Sequence, residues 1–187
     1  MCDKPRARER EMADVAKFKP KTVYVTYIDA SQEKVWQALI DPSFTKQYFF
    51  GFAIDIEART GGSFRLLGPD SGTHVSGKVV EWSPPRRLCV TWRVAGMKDF
   101  GELPECLVSY DIEQAGGCVR LTMMESHSWD VPETVLKGGQ SGWPKILSGL
   151  KSVLEIGRPL SIETNVPEGF VEAVKKAIAE KSWLRPK

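Results

Sequence analysis

Residues 142–157 read GWPKILSGLKSVLEIG. Trp143, Leu147, Leu150 and Leu154 recur at i, i+4, i+7 and i+11, which is one stripe of an amphipathic helix. Pro144 is tolerable in a first turn, and Gly157 followed by Pro159 stops the segment. A helix with a single apolar stripe needs an apolar surface to cover it.

Residues 50–126 supply that surface. Short runs, FAIDIEA, SFRLLG, THVSGKVVEW, RLCVTWRV, ECLVSYDIE and CVRLTMMES, are separated by turn signals such as Gly61-Gly62, Ser83-Pro84-Pro85 and Gly116-Gly117. They predict six strands in an antiparallel meander. Leu88, Val90, Trp92 and Val94 share one face, opposite Cys89, Thr91 and Arg93. Cys106, Val108, Tyr110 and Ile112 likewise oppose Leu107, Ser109 and Asp111. One face is apolar and must be covered.

Further upstream, TVYVTYIDA (22–30) reads as another strand. Ser31 is a serviceable helix N-cap, with Val35, Trp36, Leu39 and Ile40 at helical spacing behind it. Asp41-Pro42 ends that helix, and Pro42 opens a second short one through Gln47. Downstream, residues 168–183 carry Phe170, Val171, Val174 and Ile178 and predict a separate C-terminal helix. The expected fold is α+β: a helix-grip arrangement in which a curved antiparallel sheet of about seven strands wraps around one long helix. Two short helices follow the first strand, and an additional helix lies at the C-terminus. The expected organisation is a charged extension at 1–20, a domain at 21–158 and a C-terminal extension at 159–187.

Composition narrows the function classes. The chain has 187 residues, 42% hydrophobic and 27% charged, the balance of a globular chain rather than a disordered one. A net charge of +2 is too small to indicate nucleic-acid binding. No apolar run approaches the roughly 20 residues of a membrane span. The N-terminal MCDKPRARERE lacks an apolar signal region, and Cys2, Cys89, Cys106 and Cys118 do not read as a disulfide framework, so the cytoplasm is the expected compartment. With two histidines, His74 and His127, a zinc site would have to borrow scattered carboxylates, and neither a metal nor a cofactor is expected.

The order and spacing of these segments resemble a known family. VTYIDASQEKVWQALIDPSFTKQYFFG (25–51) is similar to the opening of the START-like, or SRPBCC, helix-grip superfamily. Within it the chain resembles the branch related to the C-terminal domain of the activator of the heat-shock-protein-90 ATPase. Residues 61–94 match that branch's glycine-framed hairpin, its Gly77-x-Val79-x-Glu81 strand and its Pro84-Pro85-x-x-Leu88-x-x-x-Trp92 strand. Residues 142–155 match its closing Gly-Trp helix. The resemblance covers about residues 22–157 and implies a ligand cavity or a stress-response role as a chaperone regulator. A histidine often follows the Leu-Thr pair of the last strand in this branch; Met123 and Met124 stand there instead.

A long helix across a curved sheet often leaves an internal, mostly apolar space. Trp36, Phe50, Phe64, Trp92, Tyr110, Met123, Trp143 and Leu147 are the candidates to line it, although residues of these types at these spacings are core residues first. Glu81 and Glu125, at the ends of alternating strands, are candidate polar contacts at its mouth. Ser126-His127-Ser128 makes no catalytic set, because neighbours on a strand face opposite ways. The segment Gly138-Gly139-Gln140-Ser141-Gly142 lacks the lysine of a phosphate-binding loop and reads as a flexible loop gating the cavity. The leading expectation is a non-enzymatic binding protein for a hydrophobic small molecule, lipid-like or aromatic. The alternatives are an interaction protein with a chaperone or other protein partner and, third, a cyclase- or hydrolase-like enzyme. Pairing of sheets or added helices would permit a homodimer.

Overall fold

A computed structural model of the chain describes residues 15–96, 100–163 and 165–184. Cys2 and most of the expected N-terminal extension lie outside the described residues, as do the last three residues of the expected C-terminal extension. The elements run β1 (Lys19–Ile28), α1 (Gln32–Ile40), α2 (Pro42–Tyr48), β2 (Ala53–Ile56), β3 (Ser63–Leu67), β4 (Thr73–Ser83) and β5 (Arg87–Val94). They continue with β6 (Cys106–Ala115), β7 (Cys118–His127), α3 (Glu133–Ile156) and α4 (Phe170–Ala179). Single 3-10 turns occupy Phe100–Glu102 and Ser182–Leu184.

All seven strands form one antiparallel sheet in the order β1-β7-β6-β5-β4-β3-β2. The first strand therefore closes against the last, and α1 and α2 carry the chain to the opposite edge. Capping sets these two helices. The Ser31 hydroxyl accepts from the Lys34 N–H at 3.2 Å, and the Asp41 carboxylate accepts from the Ser43 N–H at 2.7 Å. Helix α3 crosses the concave face. Its own Leu150 and, on the strands beneath it, Leu121, Met123 and Ile28 are wholly buried, and Gly157 closes the helix in the left-handed conformation at φ 71°.

Two local expectations are corrected. The long helix begins at Glu133 rather than 142, so Gly138–Gly142 lies within it and is not a gating loop. Glycine and proline usually weaken a helix, but packing selects small residues here. A Cβ on Gly138 would fall 2.5 Å from the Phe170 ring, and one on Gly149 would fall 3.1 Å from Tyr48. The C-terminal helix is shorter than 168–183, because Glu180 and the left-handed Lys181 end it before the Ser182–Leu184 turn.

A second departure comes from a bulge. The pairing of β4 with β5 slips between Val79 and Glu81. One extra residue reverses which side chains face inward. Trp82 consequently packs on Trp36, with ring centroids 4.9 Å apart, while Glu81 faces out and accepts from Arg87 at 2.8 Å.

Two predictions follow from backbone geometry. At Gly77 an added Cβ would lie 1.9 Å from the Thr91 carbonyl oxygen, so Gly77→Ala is expected to cost about 1–3 kcal/mol or more in urea unfolding. Asp41→Ala should cost about 1 kcal/mol at neutral pH through the lost cap. The Ser43 hydroxyl, and then its N–H, hold the Asp41 carboxyl below its ordinary range. That stability is present above the ordinary carboxylate range and disappears as pH falls through the depressed folded value. Unfolding curves of wild type and variant should therefore converge in acid.

Candidate functional site

A cavity of about 380 Å³ lies between the N-terminal half of α3 and the ends of β5, β6 and β7. Its position follows from the helix sequence. Ile146, Leu147, Leu150, Val153 and Leu154, on the C-terminal half of α3, are buried in the main core. The N-terminal half presents Gly138, Gly139 and Gly142 to the cavity, and these cannot fill the same space. Phe100 and Phe170, with ring centroids 5.5 Å apart, close the far side. Helix α4 thus forms part of the wall, and Trp129, Val131, Ala177 and Trp183 make a small second core behind it.

The apolar floor is aromatic. Trp92 and Trp143 stand 5.3 Å apart, and Phe49 lies 5.9 Å from each. Phe49 turns inward because α2 ends there. Phe50 follows in the left-handed region at φ 52° and lies at the cavity edge, 38% exposed. His74 stacks on Phe52 with centroids 4.3 Å apart, and burial lowers its pKa, favouring the neutral ring.

One end of the cavity is polar. Glu125 and His127 are two residues apart on β7 and so share a face. Leu107 pairs with Ser126, which brings Cys106 level with His127 on the adjacent strand. The Glu125 carboxylate accepts from Trp143 Nε1 at 2.9 Å, and its other oxygen lies 2.8 Å from His127 Nε2. His127 Nδ1 is buried with no hydrogen-bond partner. Cys106 Sγ has only a weak contact with the Trp92 carbonyl, at 3.8 Å. Burial first, and then the Glu125 charge, push the Cys106 thiol well above its ordinary range.

Of the residues singled out in the sequence, Phe50, Trp92, Trp143 and Glu125 meet at this cavity. Phe64 and Tyr110, with Trp92, border a separate 20 Å³ void deeper in the core. Trp36 and Met123 are core residues, and Leu147 lies in the core beside a groove between β1 and α3. Glu81 is outside, bound to Arg87. Sequence reading missed Phe49, Phe100, Cys106, His127 and Phe170. Extending the β7 alternation two residues past Glu125 would have found His127, and the inner face of β6 already contained Cys106.

A curved sheet gripping a long helix, with an aromatic cavity beneath that helix, defines the START-like helix-grip class. The chain belongs to the Activator of Hsp90 ATPase homolog 1-like protein family, whose profile matches residues 29–155. Among solved structures, DynU16, a protein of the dynemicin biosynthetic locus, is 25% identical with a TM-score of 0.63. That match covers 74% of this chain and 48% of DynU16, so the chain spans about half that relative's length. CalU16 from Micromonospora echinospora is 20% identical with a TM-score of 0.58, covering 88% of this chain and 92% of that one. Aha1 from Colwellia psychrerythraea, solved as a dimer, is 22% identical with a TM-score of 0.55, covering 72% and 96%. No curated protein matches. No helix among the described residues is long and apolar enough to cross a membrane.

The buried thiols should be inert in the native state. Burial pushes Cys89 up to about 11 and Cys106 well above the ordinary thiol range, and alkylation needs the thiolate. Iodoacetamide at pH 7.5, followed by peptide mass mapping, should leave Cys89 and Cys106 unmodified until denaturant is added. Rapid native labelling of Cys106 would contradict the burial described.

Proposed function

We propose that the protein binds a hydrophobic, aromatic small molecule between α3 and the sheet, without transforming it. The observation that carries this reading is the cavity of about 380 Å³, within the roughly 300–1,000 Å³ typical of ligand pockets. Phe49, Trp92, Trp143 and Phe170 offer ring faces for stacking, and such pairs add about 0.5–1.5 kcal/mol beyond area burial. The Glu125–His127 end would orient a ligand bearing a hydrogen-bonding group. Residues 165–174 belong functionally with the domain in this reading, since Val166, Phe170 and Val174 help to line the cavity. The family and the helix-grip fold support a ligand-binding or regulator-like role. A relative in a biosynthetic locus makes natural products reasonable first probes, and the aromatic floor favours aromatic ones.

Gly142 provides the test. It lines the cavity, and a Cβ there would meet no atom within 4 Å. Gly142→Leu should therefore fill the space, and loss of a mid-helix glycine favours the helix by up to about 1 kcal/mol. Wild type should show a raised melting temperature with an aromatic polyketide, sterol or fatty acid from a thermal-shift panel. Gly142→Leu should melt no lower than wild type yet lose that ligand-induced shift. Silence of wild type across the panel, or an equal shift in the variant, would refute binding at this cavity.

A further inference from the structure

Cys106, Glu125 and His127 each present one donor atom, and all three atoms lie within 4.8 Å of one another. We propose that they form a three-residue binding site for a zinc-class divalent cation at the polar end of the cavity. A thiolate, an imidazole and a carboxylate are the mixed donors that suit zinc, and three protein ligands leave a fourth position open. Here that position faces the cavity, because all three residues line it. The inference goes beyond small-molecule binding and does not depend on it.

Three observations carry the assignment. The ladder places the donors without loop flexibility: Glu125 and His127 alternate onto one face of β7, and Cys106 stands level with His127 on β6. The donors also have unused capacity, since Cys106 Sγ makes only its 3.8 Å contact and His127 Nε2 faces the Glu125 carboxylate alone. Finally, an outer partner is in place. Trp143 Nε1 donates to Glu125 Oε2 at 2.9 Å, fixing the carboxylate as outer-sphere groups do in metal sites. Arg93 and Lys145, the cations bordering the cavity, bond instead to the carbonyls of Gly101 and Glu163. Bonds of about 2.0–2.3 Å require donors roughly 3.5 Å apart, so Glu125 Oε1 and His127 Nε2, at 2.8 Å, must part slightly to admit the metal while Cys106 Sγ closes on them. On binding, the Cys106 thiol forms a bond to the metal and its proton leaves to solvent.

Cobalt chloride added to chelator-stripped protein reports this site without any organic ligand. The expected result is one equivalent of cobalt per chain, a thiolate-to-cobalt charge-transfer band and the intense visible absorption of tetrahedral cobalt. Zinc chloride should bleach both. Cys106→Ser should abolish the charge-transfer band, and His127→Gln and Glu125→Gln should weaken zinc binding in isothermal titration. Trp143→Phe should weaken it by about 10–100-fold, as loss of an outer partner does. No charge-transfer band in folded wild type would overturn the proposal, and so would a band that survives in Cys106→Ser. The wild-type spectrum decides the matter even where a variant fails to fold. Failure of this test leaves small-molecule binding standing, because that reading is tested separately by the ligand-induced melting shift of wild type and Gly142→Leu.

Discussion

The structure depends on one contact: the apolar stripe of α3 lying in the concave face of a sheet whose strands run from β1 at one edge to β2 at the other. Neither partner is stable alone. An exposed stripe of leucines has nothing to bury it, and a sheet with one bare apolar face invites association. Fully burying a leucine or isoleucine is worth roughly 1.5–3 kcal/mol. Ile146, Leu147, Leu150 and Leu154 are each at most 6% exposed, so this half of the helix anchors the fold.

The other half of the same helix does not fill the sheet, and its glycines explain why. Each mid-helix glycine costs about 1 kcal/mol relative to alanine. At Gly138 and Gly139 close neighbours occupy the space: the Phe170 ring at one, the Glu125 carboxylate at the other. At Gly142 no neighbour does, and the space stays open. The segment that forgoes side chains for close packing therefore also leaves the cavity. Trp143, on the next position, packs against Trp92 and Phe49 while donating to Glu125. A single side chain thus links the core to the polar end.

Much of this architecture was legible in the sequence. Alternation and turn residues define the strands, because a half-buried antiparallel strand has period two. Ser31 and Asp41 mark the helix starts through their oxygens. Two kinds of information were not local. The run Gly138–Gly142 looks like a loop by propensity and becomes helical only because α4 and β7 crowd against it. Glu81 looks inward by alternation and is turned out by a one-residue slip that depends on the partner strand. The candidate site divides in the same way. Trp92, Trp143 and Glu125 could be read from faces, whereas Phe100 and Phe170 meet only through the packing of distant segments.

That distant packing bears on where the domain ends. At ten residues, α4 is shorter than the roughly 12–15 at which isolated helices become even marginal in water. It is therefore helical because it is docked, with Phe170 on Phe100 and, just beyond the helix, Trp183 against Trp129. Val174 and Ala177 are buried in that seam although they lie well past the closing glycine of α3. Phe170 and Val174 also line the cavity, so one set of contacts both holds the C-terminal segment and completes the wall. Residues on both sides of 158 therefore contribute to that wall. Residues 29–155, which the family profile matches, supply β2 to β7 and nearly all of the long helix; β1 precedes them, and residues after them supply what closes the cavity on this side.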